Sequence, residues 1–189
     1  LDKKEEILRA TFSHFAKRGY SLTMSDIASS VDIKTPSIYS HFKGKDEILL
    51  VTIEREIARY HAFLDSLYLT MTFDNLKEDL YALFKKILGY FSEKDLIRFW
   101  RNLLLVDQEE LRRTCSQQVF NLEIYHVEKL KKVFEPYSDG NLDVMEGRSL
   151  HFLAIIQAAL EIELLFYDAE ATAEAYIEKM WQAYSACNF

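Results

Sequence analysis

Helix-breaking residues are scarce in this chain: its 189 residues include five Gly and two Pro. Turns draw on these two residues for backbone conformations that others reach only at a cost. So small a supply favours long helices joined by short connections. Apolar residues recur at three- to four-residue spacing, and strand alternation is nowhere convincing. Over the first 18 residues, Ile7, Leu8, Thr11, Phe12 and Phe15 share one helical face, with Lys and Glu opposite. From Lys45 the pattern Ile48, Leu49, Ile53, Ile57, Tyr60 predicts a long helix to about Leu69. Further helices are expected at roughly 74–91, 94–106, 108–135, 141–168 and 170–186. The chain reads as all-α, with about nine helices.

Between the first helix and the long helix from Lys45 the punctuation is denser. Gly19-Tyr20 ends the first helix, Gly supplying a left-handed terminus. Thr23 and Asp26 have the spacing of a capping box, which predicts a short helix with Ile27, Ala28 and Val31 inward. Asp32-Ile33 makes a tight turn. A second short helix comes next, roughly Thr35 to His41, with Pro36 in the first turn where its missing N–H costs nothing. Two short helices joined by a tight turn, after a longer one, form a helix-turn-helix whose last member lies in the major groove. Lys34, Thr35, Ser37, Tyr39, Ser40 and His41 would then be exposed, with Ile38 and Phe42 turned inward. Lys45 opens the next helix beside free backbone N–H groups, a natural place to hold a phosphate.

Charge is distributed in keeping with that reading. The formal net charge is −7, which alone argues against nonspecific nucleic-acid binding. Residues 1–50, however, carry eight Lys/Arg against seven Asp/Glu, while residues 51–189 carry 15 against 23. From Ile33 to Lys45 there are three lysines and no acid. Two cysteines are too few for a disulfide framework, and no apolar run is long enough to span a bilayer. A cytoplasmic protein without membrane contact is expected. Leu1 already stands inside a helical pattern, so residues preceding it are expected.

The run Phe15, Gly19-Tyr20, Thr23, Ile27-Ala28, Pro36-Ser-Ile-Tyr-Ser-His-Phe42, Lys45 and Leu49 resembles the DNA-binding domain of the TetR family of bacterial regulators. The resemblance covers about a quarter of the chain. Asp32 stands where that family commonly has Gly, and Lys34 where it commonly has a capping Ser. It implies a head at residues 1–46 and a helical effector-binding and dimerisation domain at 47–189. It also implies DNA contacts from Thr23, Ser25, Lys34, Thr35, Pro36, Ser37, Tyr39, His41 and Lys45.

Residues 150–167 are apolar nearly all round a helix, which requires burial on several sides. Ala154, Ala158 and Ala159 would let a partner helix approach. The last helix presents Tyr176, Ile177, Met180, Trp181 and Tyr184. By resemblance, helices 141–168 and 170–186 pair with their copies in a homodimer, whose two heads match two half-sites of a palindromic operator in double-stranded DNA. The resemblance also implies a cavity for a small hydrophobic effector in the middle region. Its candidate lining is Phe84, Leu88, Phe91, Phe99, Trp100, Leu103, Phe120, Glu123 and His126. The same aromatics serve equally well as plain core, and Glu123 and His126 as a hydrogen-bonded pair. No cofactor and no metal is expected. The resemblance favours a repressor released by its effector. The competing reading is a helical small-molecule binder or enzyme that never touches DNA, but no phosphate loop, nucleophile elbow or paired carboxylates support catalysis.

Overall fold

The computed structural model describes residues 2–166 and 169–189, with the backbone alone at Glu170. Among the described residues there are nine α-helices and no strand. They are α1 (Lys3–Arg18), α2 (Met24–Ser30), α3 (Thr35–Ile38), α4 (Lys45–Thr70), α5 (Leu76–Tyr90), α6 (Lys94–Leu104), α7 (Glu109–Phe134), α8 (Leu142–Leu165) and α9 (Glu170–Asn188). Single 3-10 turns occupy Gly19–Ser21 and Glu135–Tyr137. The bounds track the periodicity closely except at α3. There, Pro36 and an N-cap without a side-chain bond leave a short helix. It tightens into a turn as the His41 and Phe42 N–H groups both donate to Ile38 O. Of the helix expected at 141–168, Tyr167 and Asp168 lie outside the described residues.

The chain forms two compact units. The first comprises the residues up to Ala62 together with Glu93–Asn121; the second comprises Phe63–Ser92 and Leu122–Phe189. Residues 2–46, where the head is expected, lie wholly within the first unit. That unit has one core, to which α1 gives Ile7 and Phe15, α2 Ile27, and α4 Ile48, Leu49 and Ile53. Ile38 and Phe42 enter it as expected, which leaves the opposite face of α3 free. The core continues into α6 with Phe99 and Leu103, and into α7 with Leu111 and Cys115. Phe99 stacks on Phe12 at 4.9 Å between ring centroids and meets Phe15 edge-on at 5.3 Å. Arg55 spans Glu5 of α1 at 2.7 Å and the buried Glu56 at 2.9 Å. A buried carboxylate is tolerated only when paired in this way.

In the second unit α5, α8 and α9 share the interior. Trp181 stacks on Phe84 at 5.6 Å, and Tyr184 packs against Phe152. The expected partner-facing residues therefore divide. Ile177, Trp181, Tyr184 and Ala159 are buried within their own unit, which corrects the expectation that they meet a second chain. Ala154, Ala158 and Tyr176 stay exposed. Helical periodicity identifies an apolar stripe, but a helix apolar all round has two such stripes, and only packing tells which is internal.

Candidate nucleic-acid interface

Each turn of the head is fixed by a local device that the sequence encodes. Gly19 has φ +56° and donates its N–H to Phe15 O, closing α1. Thr23 caps α2: its hydroxyl oxygen accepts from the Asp26 N–H at 3.1 Å. In return the Asp26 carboxylate accepts from the Thr23 N–H at 2.9 Å and from its hydroxyl at 2.7 Å. Those two donors hold the Asp26 carboxyl below its usual range. At the other end of α2, Asp32 takes φ +53°. The Ile33 N–H donates to Ala28 O at 3.1 Å and the Asp32 N–H to Ser29 O at 3.4 Å. This is a Schellman closure with Asp at the position that favours Gly. It sets the angle at which the chain enters α3.

The resulting surface carries most of the residues expected to touch DNA. Lys34, Pro36, Ser37, Tyr39 and His41 are exposed around α3 and its succeeding turn, and Thr35 is half-buried. Tyr39 shows 55% of its surface although it is a large aromatic residue. Lys34 makes no capping bond with its side chain, so its ammonium is not committed to holding the helix. Thr23 and Ser25 are exposed at the start of α2, Thr23 with its hydroxyl engaged in the cap.

Lys45 is placed differently from the simple expectation. Its ammonium donates to Tyr20 O at 3.0 Å and sits 3.6 Å over the Tyr20 ring centroid. The start of α4 already holds carboxylates of this chain: Glu47 accepts from the Lys43 N–H, and Asp46 accepts from the Tyr20 hydroxyl at 2.6 Å. Burial, then that bond to Asp46, raise the Tyr20 phenol to about 12. Lys45 thus fastens the turn between α1 and α2 and offers its remaining donors to a ligand.

The nine candidate effector residues divide between the two units. Phe99, Trp100, Leu103 and Phe120 belong to the first unit, where Phe99 and Leu103 are core and Phe120 is 56% exposed. Phe84, Leu88, Phe91, Glu123 and His126 belong to the second. Glu123 accepts from Gln157 Nε2 at 2.8 Å rather than pairing with His126. His126 is buried with no partner at Nε2, its ring edge-on to Tyr68, and burial pushes it down to about 4. A half-open cavity of about 700 Å³ lies nearby in the same unit. Tyr68, Leu69, Phe73, Lys129, Lys132 and Tyr137 help to line it, and none of the nine candidates does. Asn102 was absent from every sequence expectation, yet its amide donates to Phe15 O at 2.8 Å and Ala16 O at 3.1 Å. An Asn among the apolar residues of α6 was the only signal of that role. Among the described residues no helix is long and apolar enough to cross a membrane, and no cluster is arranged to hold a metal ion.

Residues 7–52 match the family model of bacterial regulatory proteins, tetR family. Over 54 residues the chain is 39% identical to the uncharacterized HTH-type transcriptional regulator YerO of Bacillus subtilis, a match covering 28% of this chain and 19% of that protein. The fold recurs along nearly the whole chain in solved structures. A TetR transcription regulator from Haloarcula marismortui aligns with TM-score 0.72 at 24% identity, over 96% of this chain and 97% of that one. The fatty acid degradation regulator FadR from Bacillus halodurans aligns with TM-score 0.73 at 15% identity, over 97% and 95%. The SmeT–triclosan complex aligns with TM-score 0.71 at 14% identity, over 97% and 91%.

Proposed function

We propose that this chain, whose residues 7–52 match the model of bacterial regulatory proteins, tetR family, is a DNA-binding transcriptional repressor of that family, acting as a homodimer and released from its operator by a small ligand. The observation that carries the DNA-binding part is the exposed, acid-free face of α3. Its Lys34, Ser37, Tyr39 and His41 project from a helix whose other side, Ile38 and Phe42, is anchored in the core. A lysine, hydroxyls and an imidazole can bond phosphate oxygens and base edges, and a bare proline or threonine methyl packs against thymine methyls. Thr23 and Ser25 at the start of α2, and Thr35, Pro36 and Lys45, complete the proposed contact set.

Two heads are needed to read a palindrome, with half-sites one helical turn, about 34 Å, apart. The exposed faces of α8 and α9 supply the proposed dimer contact. A ligand that binds better to the form whose heads are wrongly spaced would release the operator, and operator DNA would weaken the ligand by the same factor. The complex of a fold neighbour with triclosan supports a hydrophobic small molecule as the class of effector.

Fluorescence anisotropy with DNA from the protein's own upstream region, at two salt concentrations, tests this reading. Tight, salt-sensitive binding of one dimer per site is expected. Tyr39→Ala should weaken binding to specific and random DNA alike while leaving the salt slope nearly unchanged, because a neutral hydroxyl contact releases no counterion. Wild-type binding no tighter to the upstream DNA than to random DNA would return the chain to the small-molecule-binder reading.

A further inference from the structure

We infer that Asn102 of α6 is a positioning residue for DNA binding, and that the reading head is incomplete without α6, far outside the segment that matches the family; the inference rests on the DNA-binding reading above. The last carbonyls of a helix have no partner within it. At the end of α1 the Ala16 carbonyl accepts from Asn102 Nδ2 at 3.1 Å, and the Phe15 carbonyl, which already takes the Gly19 N–H, accepts from it at 2.8 Å. Phe99, one turn earlier on α6, lies against Phe12 and Phe15, and Lys17 and Asp95 approach to 3.8 Å. The close of α1 is therefore held by rings, an ion pair and a two-pronged amide from one helix.

The place matters because α1 leads directly into the helices that face DNA. Gly19 adjoins the Asn102 amide: a Cβ there would make ordinary van der Waals contact with it at 3.7 Å. Tyr20, the next residue, is bonded to Lys45 and Asp46 of α4. Three residues on, Thr23 caps α2, which carries α3. The Gly19–Ser21 turn is thus held by both α6 and α4, and its placement sets the tilt of α2 and α3. Asn102→Asp keeps the side chain's shape but turns a carboxylate toward two carbonyls at the negative end of a helix, where anions are disfavoured. Asn102→Ser keeps a single donor and avoids the charge.

The experiment uses the full chain. A binding sequence is first selected from random duplexes with wild-type protein, and Asn102→Asp and Asn102→Ser are then compared on that sequence and on a random duplex, beside thermal unfolding. Losing a paired, half-buried polar contact should weaken Asn102→Asp on the selected sequence by at least about tenfold, and Asn102→Ser by less. Random-duplex binding and its salt slope should stay within about twofold, because the phosphate-contacting side chains are intact. Asn102→Asp should recover as pH falls from 8 toward 5, when its protonated carboxyl again donates; Asn102→Ser should show no such recovery. Selected-sequence affinities within about twofold of wild type, in variants that melt above the assay temperature, overturn the inference. Should Asn102→Asp not fold, Asn102→Ser decides alone: an unchanged affinity overturns the inference and a selective loss supports it. Failure of the wild type to select any sequence is a different result, and it removes the DNA-binding reading together with this one.

Discussion

His126 is a base held in the interior of the second unit with no hydrogen-bond partner at Nε2, and burial lowers it to about 4. In the unfolded chain it titrates near 6.5. Between those values the unfolded state binds the proton and the folded state does not, so stability from this group is full above pH 6.5 and is lost as pH falls toward 4. At 1.36 kcal/mol per pK unit, moving from pH 7.5 to pH 5 should cost about 2 kcal/mol. Denaturant unfolding of wild type and His126→Leu at both pH values checks this: the variant should lack that part of the decline. An identical decline in both proteins would assign the acid sensitivity elsewhere. Asp26 works in a separate window. Its folded value is lowered by the Thr23 donors, so its contribution is present above the ordinary carboxylate range and disappears only as pH falls through the lower folded value.

Among the elements, α6 departs most from its sequence reading. Its apolar face promised burial, and Phe99, Trp100 and Leu103 were candidates for an effector cavity. The structure places Phe99 and Leu103 in the core of the first unit. Phe99→Ala should therefore destabilise the first unit by about 3–5 kcal/mol, the range for emptying a buried aromatic site. Leu104→Ala on the exposed side of the same helix should change stability by less than about 0.5 kcal/mol. Chemical denaturation distinguishes them, and a small loss for Phe99→Ala would show that α6 is dispensable to that core. By contrast, the capping box at Thr23–Asp26 and the tight turn at Asp32-Ile33 are legible in the sequence. Each depends on residues at most five apart in sequence, so residue type and spacing carry the information.

At the scale of the whole molecule, α8 and α9 present apolar residues to solvent. Leu150, Ala154, Ala158 and Leu165 on α8 and Tyr176 on α9 are exposed, and Leu165 shows 75% of its surface. A groove between these helices is lined by His151, Ala154, Ile155, Met180, Ala183, Tyr184 and Cys187. Apolar area of this kind marks an association surface, and a self-complementary one produces a two-fold dimer. Ala154→Glu should place a carboxylate in the proposed dimer contact and yield a monomer by sedimentation equilibrium, with the protein still folded by circular dichroism. Operator affinity should fall with it, because each head then binds a half-site alone. A variant sedimenting as the wild type does would move the dimer contact off this face.

The sequence by itself determined the all-helical fold, the helix bounds to within a few residues, the order of devices from Gly19 to Phe42 and the exposed, acid-free face of α3. These arise from helical periodicity, caps and turn chemistry, which act between near neighbours in the chain. Tertiary structure alone decided what each apolar face meets. It gave Phe99 to the core of the first unit, Trp181 to Phe84, Glu123 to Gln157 and Lys45 to Tyr20. The physical reason is that hydrophobic burial is not directional: a stripe of Leu and Phe records that it must leave water, while the shape and polar groups of distant segments choose its partner.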